Sequence, residues 1–134
     1  MNEATPDTPA APLHNINAQI ASAANIARRD AKDIELIAVS KTRSAEEIVP
    51  LLAAGHRVFG ENRVQEAEAK WPALLAEFPD VQLHLIGQLQ SNKADEAVKL
   101  FDVIHSLDRP SLAVALGKAT RAHGKKVQAF IQVH

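Results

Sequence analysis

The sequence predicts an α/β protein with a parallel sheet. Apolar segments rich in β-branched residues alternate with segments of helical periodicity. The predicted strands begin near Ile34, Arg57, Gln82, Val103 and Lys126, so successive starts lie 23, 25, 21 and 23 residues apart. A strand–helix unit repeated at this interval implies right-handed crossovers between parallel neighbours. A (β/α)8 TIM-type barrel and an open doubly wound sheet both fit. The regular spacing and the lack of a G-x-G-x-x-G turn after the first strand favour the barrel.

The predicted helices follow the strands at residues 45–54, 64–77, 92–101 and 111–123. Before the first strand, apolar residues recur at three- and four-residue steps over residues 13–32, which predicts an amphipathic helix. Gly55 and Gly124 stand where left-handed residues end helices, and Pro110 opens the last helix. Pro72 is expected to kink or divide its helix. Residues 1–12 are rich in Pro, Ala and Thr, and we predict a disordered lead-in to a domain at 13–134.

The number of repeats indicates only part of a barrel. Eight units of about 23 residues need roughly 184 residues, and about 101 follow the start of the first strand. We therefore expect about the first half of the barrel, with an N-terminal helix and five strands. The first and fifth strands would then be open edges, so we expect self-association or marginal stability.

Composition narrows the classes of function. The net charge is −1, which favours neither nucleic acid nor an anionic membrane as a partner. The chain has no cysteine, so disulfides and cysteine-bound metal are excluded. No apolar run reaches the length that spans a bilayer, and the N-terminus lacks the pattern of a secretory signal. These features predict a cytoplasmic protein. The spacing of His84 and His105 matches no standard metal motif, so we expect no metal site.

Lys41 is the strongest candidate for a chemically reactive residue. It follows the first predicted strand, an apolar run expected to be buried on both faces, and precedes the capping-box pattern Ser44-x-x-Glu47. The carboxyl ends of parallel strands carry the chemistry of barrels. Partial desolvation beside Arg43 or Lys93 would lower the pKa of this lysine, and a neutral amine can attack an aldehyde. The alternative is a lysine that reaches solvent at a strand end and has no chemical role.

Other polar residues collect at the predicted strand ends, and each has a structural interpretation beside a functional one. Asn62, Ser91 and Asp108 could cap helices, with Gln65 as the partner of Asn62. Gly60 and Gly87 could be turn residues with positive φ. Glu61 could form a surface charge pair with Arg63, and His84 could be a hydrogen-bonded packing residue. Ser106 ends the fourth strand.

Five motifs, taken together, resemble the pyridoxal 5′-phosphate homeostasis protein family. They are IAVSKTR (37–43), FGENRVQEA (59–67), HLIGQLQSNK (84–93), HSLDR (105–109) and FIQV (130–133). The resemblance implies a (β/α)8 barrel akin to the N-terminal domain of alanine racemase. It implies pyridoxal phosphate held as a Schiff base on Lys41, with Asn62 near the cofactor ring and Ser106 on the same rim.

The resemblance further implies a non-catalytic protein of vitamin B6 balance. It assigns no catalytic residue and suggests pyridoxal phosphate-dependent apo-enzymes as possible recipients. The chain departs from the family pattern in having Arg63 where many members have tyrosine and His134 where asparagine is usual. The family's phosphate-gripping segments follow later strands, which these residues do not include.

Two other functions stay open. An amino-acid racemase needs an acid or base on each face of the substrate α-carbon. In the racemase these are the lysine and a tyrosine from a further domain, whereas this chain contains no tyrosine. A cofactor-free scaffold that binds other proteins is the third hypothesis, and failure to take up pyridoxal phosphate would favour it.

Overall fold

The computed structural model describes residues 10–134, which form two compact units. One unit contains residues 10–36 and 44–56, and the other contains Ile37–Arg43 and Arg57–His134. None of the helices in residues 10–134 is both long enough and apolar enough to cross a bilayer.

The first unit is helical. Helix α1 spans Ala11–Ile26, a 3-10 turn spans Ala31–Asp33, and helix α2 spans Ala45–Ala53. The predicted lead-in at 1–12 lies mostly outside the described residues, but its last two residues belong to α1. The predicted helix at 13–32 ends early because Arg28 has a left-handed backbone with φ of 56°. Gly55 follows α2 with φ of 98°, as predicted.

The second unit contains five parallel strands in the order β1-β2-β3-β4-β5. Their bounds are β1 (Ala38–Val39), β2 (Val58–Glu61), β3 (Gln82–Leu85), β4 (Val103–Leu107) and β5 (Gln128–Ile131). Helices α3 (Val64–Glu77), α4 (Ala94–Leu100) and α5 (Pro110–His123) follow β2, β3 and β4. Strands adjacent in sequence are adjacent in the sheet, which is the order of a barrel. The predicted α/β class, with the parallel strands of the first half of a barrel, is confirmed.

Strand β1 is shorter and less buried than the sequence predicts. Only Ala38 and Val39 pair with β2, although the apolar run begins at Ile34. Val39 is 51% exposed. The prediction of a strand buried on both faces is therefore wrong. Since β1 is an edge strand with one neighbour, only one side of it carries a hydrogen-bond ladder.

One face of the sheet forms the core of this unit. The register aligns Phe59 with Leu83, and Leu85 with Ile104, and all four side chains are fully buried. The ring of Trp71 on α3 packs against Phe59, with 5.1 Å between the centroids. Apolar burial of this kind supplies most of the stability of a sheet–helix layer.

Some of the roles predicted for prolines and glycines are confirmed, and others are wrong. Pro110 opens α5, and Gly124 ends it in the left-handed conformation, as predicted. Pro72 lies inside α3, which is continuous from Val64 to Glu77, so the helix is not divided, and the alternative of a kink stays a prediction. Gly60 and Gly87 do not have the positive φ proposed for them, because Gly55 and Gly124 are the positive-φ glycines of the described residues.

Candidate functional site

Lys41 lies at the carboxyl end of β1, in a tight turn formed by Ser40–Arg43. The Arg43 N–H donates to the Ser40 carbonyl at 3.1 Å, which closes the turn. Thr42 has φ of 62°, a left-handed conformation that is unusual for a β-branched residue. Lys41 itself is exposed, so the partial desolvation expected from the sequence is not found. We call residues 40–43 the Lys41 turn.

A buried carboxylate lies beneath the Lys41 turn. Glu61, at the end of β2, is fully buried and accepts hydrogen bonds at Oε2 from Ser40 Oγ at 2.5 Å and Trp71 Nε1 at 2.9 Å. The Lys70 ammonium pairs with the same oxygen at 2.8 Å. The expectation of a surface charge pair between Glu61 and Arg63 is wrong, because the side chain of Glu61 points into the core beside α3.

Two side chains of α3 bind the backbone of the Lys41 turn directly. Lys70 Nζ donates to the carbonyls of Ser40 at 2.8 Å and Arg43 at 2.9 Å. Glu66 Oε2 accepts from the Thr42 N–H at 2.6 Å. Sequence reasoning missed Glu66 and Lys70. The available signal was their i,i+4 spacing one helical turn apart, but that spacing is common on exposed helices.

Asn62 does not cap the helix that follows it. Helix α3 begins at Val64 with Arg63 in the capping position, and no side chain caps it. Asn62 instead lines a cleft of about 360 Å³ with residues that follow β2 and β3, including Gln88 and Lys93. The Asn62 carbonyl lies so close to Gly87 that a side chain at position 87 would overlap it. Glycine at this position therefore permits close approach of two loops.

Ser106 is separate from that cleft. It is 1% exposed, and its Oγ has no hydrogen-bond partner among residues 10–134. It lies in β4 where the register with β5 is irregular, between Ile104 and Leu107. The described residues that line the cleft include Asn62 but neither Lys41 nor Ser106. This cleft thus contains one of the three predicted site residues.

The other predicted caps also have different partners. Ser91 Oγ reaches Ser111 Oγ at 3.5 Å, and α4 carries no side-chain cap. Asp108 accepts from Arg109 at 2.7 Å and from His134 at 3.2 Å. The hydrogen bond from His134 has the largest effect, and together with the one from Arg109 it lowers the pKa of Asp108 below its usual value.

His84 is a hydrogen-bonded packing residue, as predicted. It is 3% exposed, and its Nδ1 lies 2.8 Å from His105 Nε2 while its Nε2 lies 3.0 Å from the Gln82 side-chain oxygen. The His105 ring stacks on Phe130 with 5.0 Å between the centroids. In the part of the chain that the structure describes, no three His, Cys, Asp or Glu residues cluster as metal ligands.

Comparison with known proteins identifies the family. The family model described as "Alanine racemase, N-terminal domain" matches residues 13–134, which is most of the chain. The chain belongs to this family.

Curated relatives in the family carry a common name. The pyridoxal phosphate homeostasis protein of Vibrio cholerae is 38% identical over 124 residues, which cover 91% of this chain and 52% of the relative. The protein of that name from Synechocystis is 41% identical over 100 residues, covering 75% and 45%. The chain therefore spans about half the length of the curated relatives it matches.

Solved structures share the fold. PipY of Synechococcus elongatus with pyridoxal phosphate bound is 46% identical, with a TM-score of 0.74 over 87% of this chain and 55% of PipY. A protein from Bifidobacterium adolescentis is 34% identical, with a TM-score of 0.82 over 96% of this chain and 57% of that protein.

Proposed function

We propose that this chain binds pyridoxal phosphate through a Schiff base on Lys41 and takes part in vitamin B6 homeostasis without catalytic turnover. The observation that carries the proposal is an exposed primary amine at the carboxyl end of β1, in a family whose relatives are named for pyridoxal phosphate homeostasis. The PipY neighbour, which has pyridoxal phosphate bound, supports the same cofactor.

The residues present fit a group that carries an aldehyde. Within residues 10–134 the exposed side chain of Lys41 has no hydrogen-bond or ion-pair partner, so no contact must break before the amine reacts. Asn62 is not used as a helix cap, which leaves its amide for a polar ring substituent. Ser106 supplies a buried hydroxyl with no partner among these residues. We propose Asn62 and Ser106 as the residues that support the cofactor beside Lys41.

The chain's own contribution is to present one amine and hold it in place. When bound, pyridoxal phosphate supplies an aldehyde that condenses with a primary amine and releases one water. Lys41 must first give a proton to solvent, which its exposure permits. The Lys41 turn fixes the backbone from which this side chain extends.

The proposed role is that of a carrier, with pyridoxal phosphate-dependent apo-enzymes as recipients. The exposure of Lys41 supports exchange, since a competing amine in solution can approach the same position. We propose no catalytic residue. The alternative, an amino-acid racemase, is favoured by the name of the family model, but these residues contain no tyrosine to act opposite the lysine.

Borohydride trapping tests the proposal. The protein is incubated with pyridoxal phosphate, reduced, digested and mapped by mass spectrometry. We expect one dominant adduct on Lys41, which disappears in Lys41→Ala and persists in Lys118→Ala, where an exposed lysine of α5 is removed. Adducts scattered over many lysines and unchanged in Lys41→Ala would refute the site.

A second assay separates carrier from racemase. The loaded protein is incubated with L-alanine, and D-alanine is measured by chiral chromatography. We expect no conversion above that of Lys41→Ala. Conversion that requires Lys41 would favour the racemase.

A further inference from the structure

We infer that Glu61, Glu66 and Lys70 are positioning residues for Lys41, because together they clamp the Lys41 turn. The inference rests on the proposed role of Lys41 and deepens it. It assigns a function to a buried ion pair, Glu61–Lys70, that the binding reaction itself does not use.

The clamp holds the Lys41 turn at several points. The Ser40 N–H donates to the Gly60 carbonyl at 2.9 Å, and Ser40 Oγ donates to Glu61. Lys70 binds the carbonyls at both ends of the turn, and Glu66 binds the N–H of Thr42 in its middle. The side chain of Lys41 therefore extends from a backbone fixed before and after it.

The chemistry of Lys70 suits this role. An ammonium has three donors, and Lys70 has three acceptors within 2.9 Å, which are Glu61 Oε2 and the carbonyls of Ser40 and Arg43. Its side chain is only 8% exposed. An ammonium that is buried and has all three of its hydrogen bonds made is not available as a nucleophile. Lys70 therefore holds the turn in place, whereas the exposed Lys41 binds the aldehyde.

The energetic cost of burying the Glu61–Lys70 pair also favours a positioning role over a stabilising one. Burying an ion pair costs desolvation, and replacing such a pair by apolar residues is often neutral or stabilising. A pair of this kind is better explained by the structure that it specifies. Here that structure includes a left-handed threonine, a conformation that persists only when its surroundings hold it.

Two variants test the clamp, with one rescue and one control. Lys70→Met removes the donors to both carbonyls, and Glu66→Ala removes the acceptor for Thr42. Glu66→Gln keeps an oxygen that can accept from the Thr42 N–H and should restore the behaviour of the unsubstituted chain. Lys99→Met is the control, because Lys99 forms an exposed ion pair with Asp95 on α4.

Two readouts are compared. Hydrogen exchange measures the amides of Thr42 and Arg43, and borohydride trapping measures the adduct on Lys41 relative to that on Lys118. In Lys70→Met and Glu66→Ala we expect exchange in the turn to accelerate about tenfold or more and the relative Lys41 yield to fall about tenfold. Lys99→Met should change neither.

Each result has a defined meaning. Unchanged exchange in both variants overturns the inference, and so does a loosened turn with full Lys41 yield. If Lys70→Met unfolds, as reported by the emission of Trp71, the chain's one tryptophan, then Glu66→Ala decides. Glu66 is half-buried and lies 3.6 Å from Lys70, farther than the buried Glu61 carboxylate at 2.8 Å, so its removal leaves the Glu61–Lys70 pair in place. If the unsubstituted chain forms no Lys41 adduct, the proposed function fails, while the exchange rates still decide whether the turn is clamped.

Discussion

At the scale of single residues, Thr42 shows how the site is built. A left-handed backbone costs an L-residue with a side chain roughly 1–2 kcal/mol, and β-branching adds to the strain. Thr42 nevertheless adopts φ of 62°, and its N–H is held by Glu66 at 2.6 Å. The residue next to the proposed anchor is thus kept in a conformation that its own chemistry disfavours.

Thr42→Gly should therefore stabilise the protein. Glycine accepts positive φ without strain, but it adds chain entropy to the unfolded state and loses the hydrogen bond from Thr42 Oγ1 to the Lys41 carbonyl at 2.6 Å. We expect the relief of strain to exceed these costs and the free energy of unfolding to rise by up to about 1 kcal/mol, measured by urea denaturation. Thr120→Gly is the matched control, because Thr120 lies inside α5, where glycine should destabilise. A loss of stability in Thr42→Gly similar to that in the control would show that the left-handed turn stores no strain.

Gly87 is the second residue at which backbone geometry determines which side chain can be accommodated. Because the Asn62 carbonyl occupies the space of a β-carbon, Gly87→Ala should displace one of the two loops and cost about 1–3 kcal/mol. Gly117→Ala is the control, since its β-carbon would meet Arg121 at an ordinary 3.4 Å inside α5 and should be neutral or stabilising. Equal urea midpoints for the two variants would contradict the close approach.

The lowered pKa of Asp108 predicts that the folded protein loses stability in acid. Its pKa is lowered in the folded chain by hydrogen bonds from His134 and Arg109. A carboxyl with a depressed pKa stabilises the fold above its ordinary pKa of about 3.9, and this contribution is lost as the pH falls through the folded value. Urea midpoints measured from neutral pH downward should fall less steeply in Asp108→Asn than in the unsubstituted chain. Parallel curves would show that this carboxyl is not linked to folding.

Sequence reasoning located part of the candidate site. The pattern of strand ends located Lys41, and the motif around Asn62 located a cleft residue. It could not find Glu61 or Lys70 as a pair, because the contact joins the end of a strand to the interior of the next helix across nine residues. A charged residue in a sequence gives no indication that its charge will be buried, and burial here depends on the packing of Trp71 over Phe59.

At the scale of elements, helices were predicted more accurately than the edge strand. Helix α3 matches its predicted bounds of 64–77, and α5 begins one residue before its predicted start, because periodic apolar residues and terminal signals define both. Strand β1 retained two residues of a longer apolar run. Apolar content did not ensure burial in this run, since Val39 is 51% exposed, and the length of the strand depends on the neighbours available for pairing.

Helix caps give a direct test at this scale. Ser44 completes a capping box on α2, in which its Oγ accepts from the Glu47 N–H at 3.2 Å and Glu47 accepts from the Ser44 N–H at 3.1 Å. Ser44→Ala should cost about 1 kcal/mol. Ser91, which the sequence also suggested as a cap, only reaches Ser111 at 3.5 Å, so Ser91→Ala should cost less than about 0.5 kcal/mol. Thermal unfolding that ranks the two variants in the opposite order would reject this assignment.

At the scale of the sheet as a whole, the order of strands decides which surfaces are open. Within residues 10–134, strands β1 and β5 each pair with one neighbour, so each presents an unpaired edge there. All four residues of β5 are exposed, including Phe130 at 48% and Ile131 at 77%. Exposed apolar edges are templates for pairing with another chain.

We therefore expect this chain to associate with itself through β5. Sedimentation velocity over a wide range of concentration should show a monomer that gives way to larger species as concentration rises. Ile131→Lys should shift that transition to higher concentration, because a charge on an edge strand opposes pairing. Val114→Lys is the matched control, since Val114 is 59% exposed on α5 and lies on no edge, and it should leave the transition in place. A single monomeric boundary at every concentration of the unsubstituted chain would show that the open edge does not drive association. An equal shift in both lysine variants would show that added charge, and not the β5 edge, controls it.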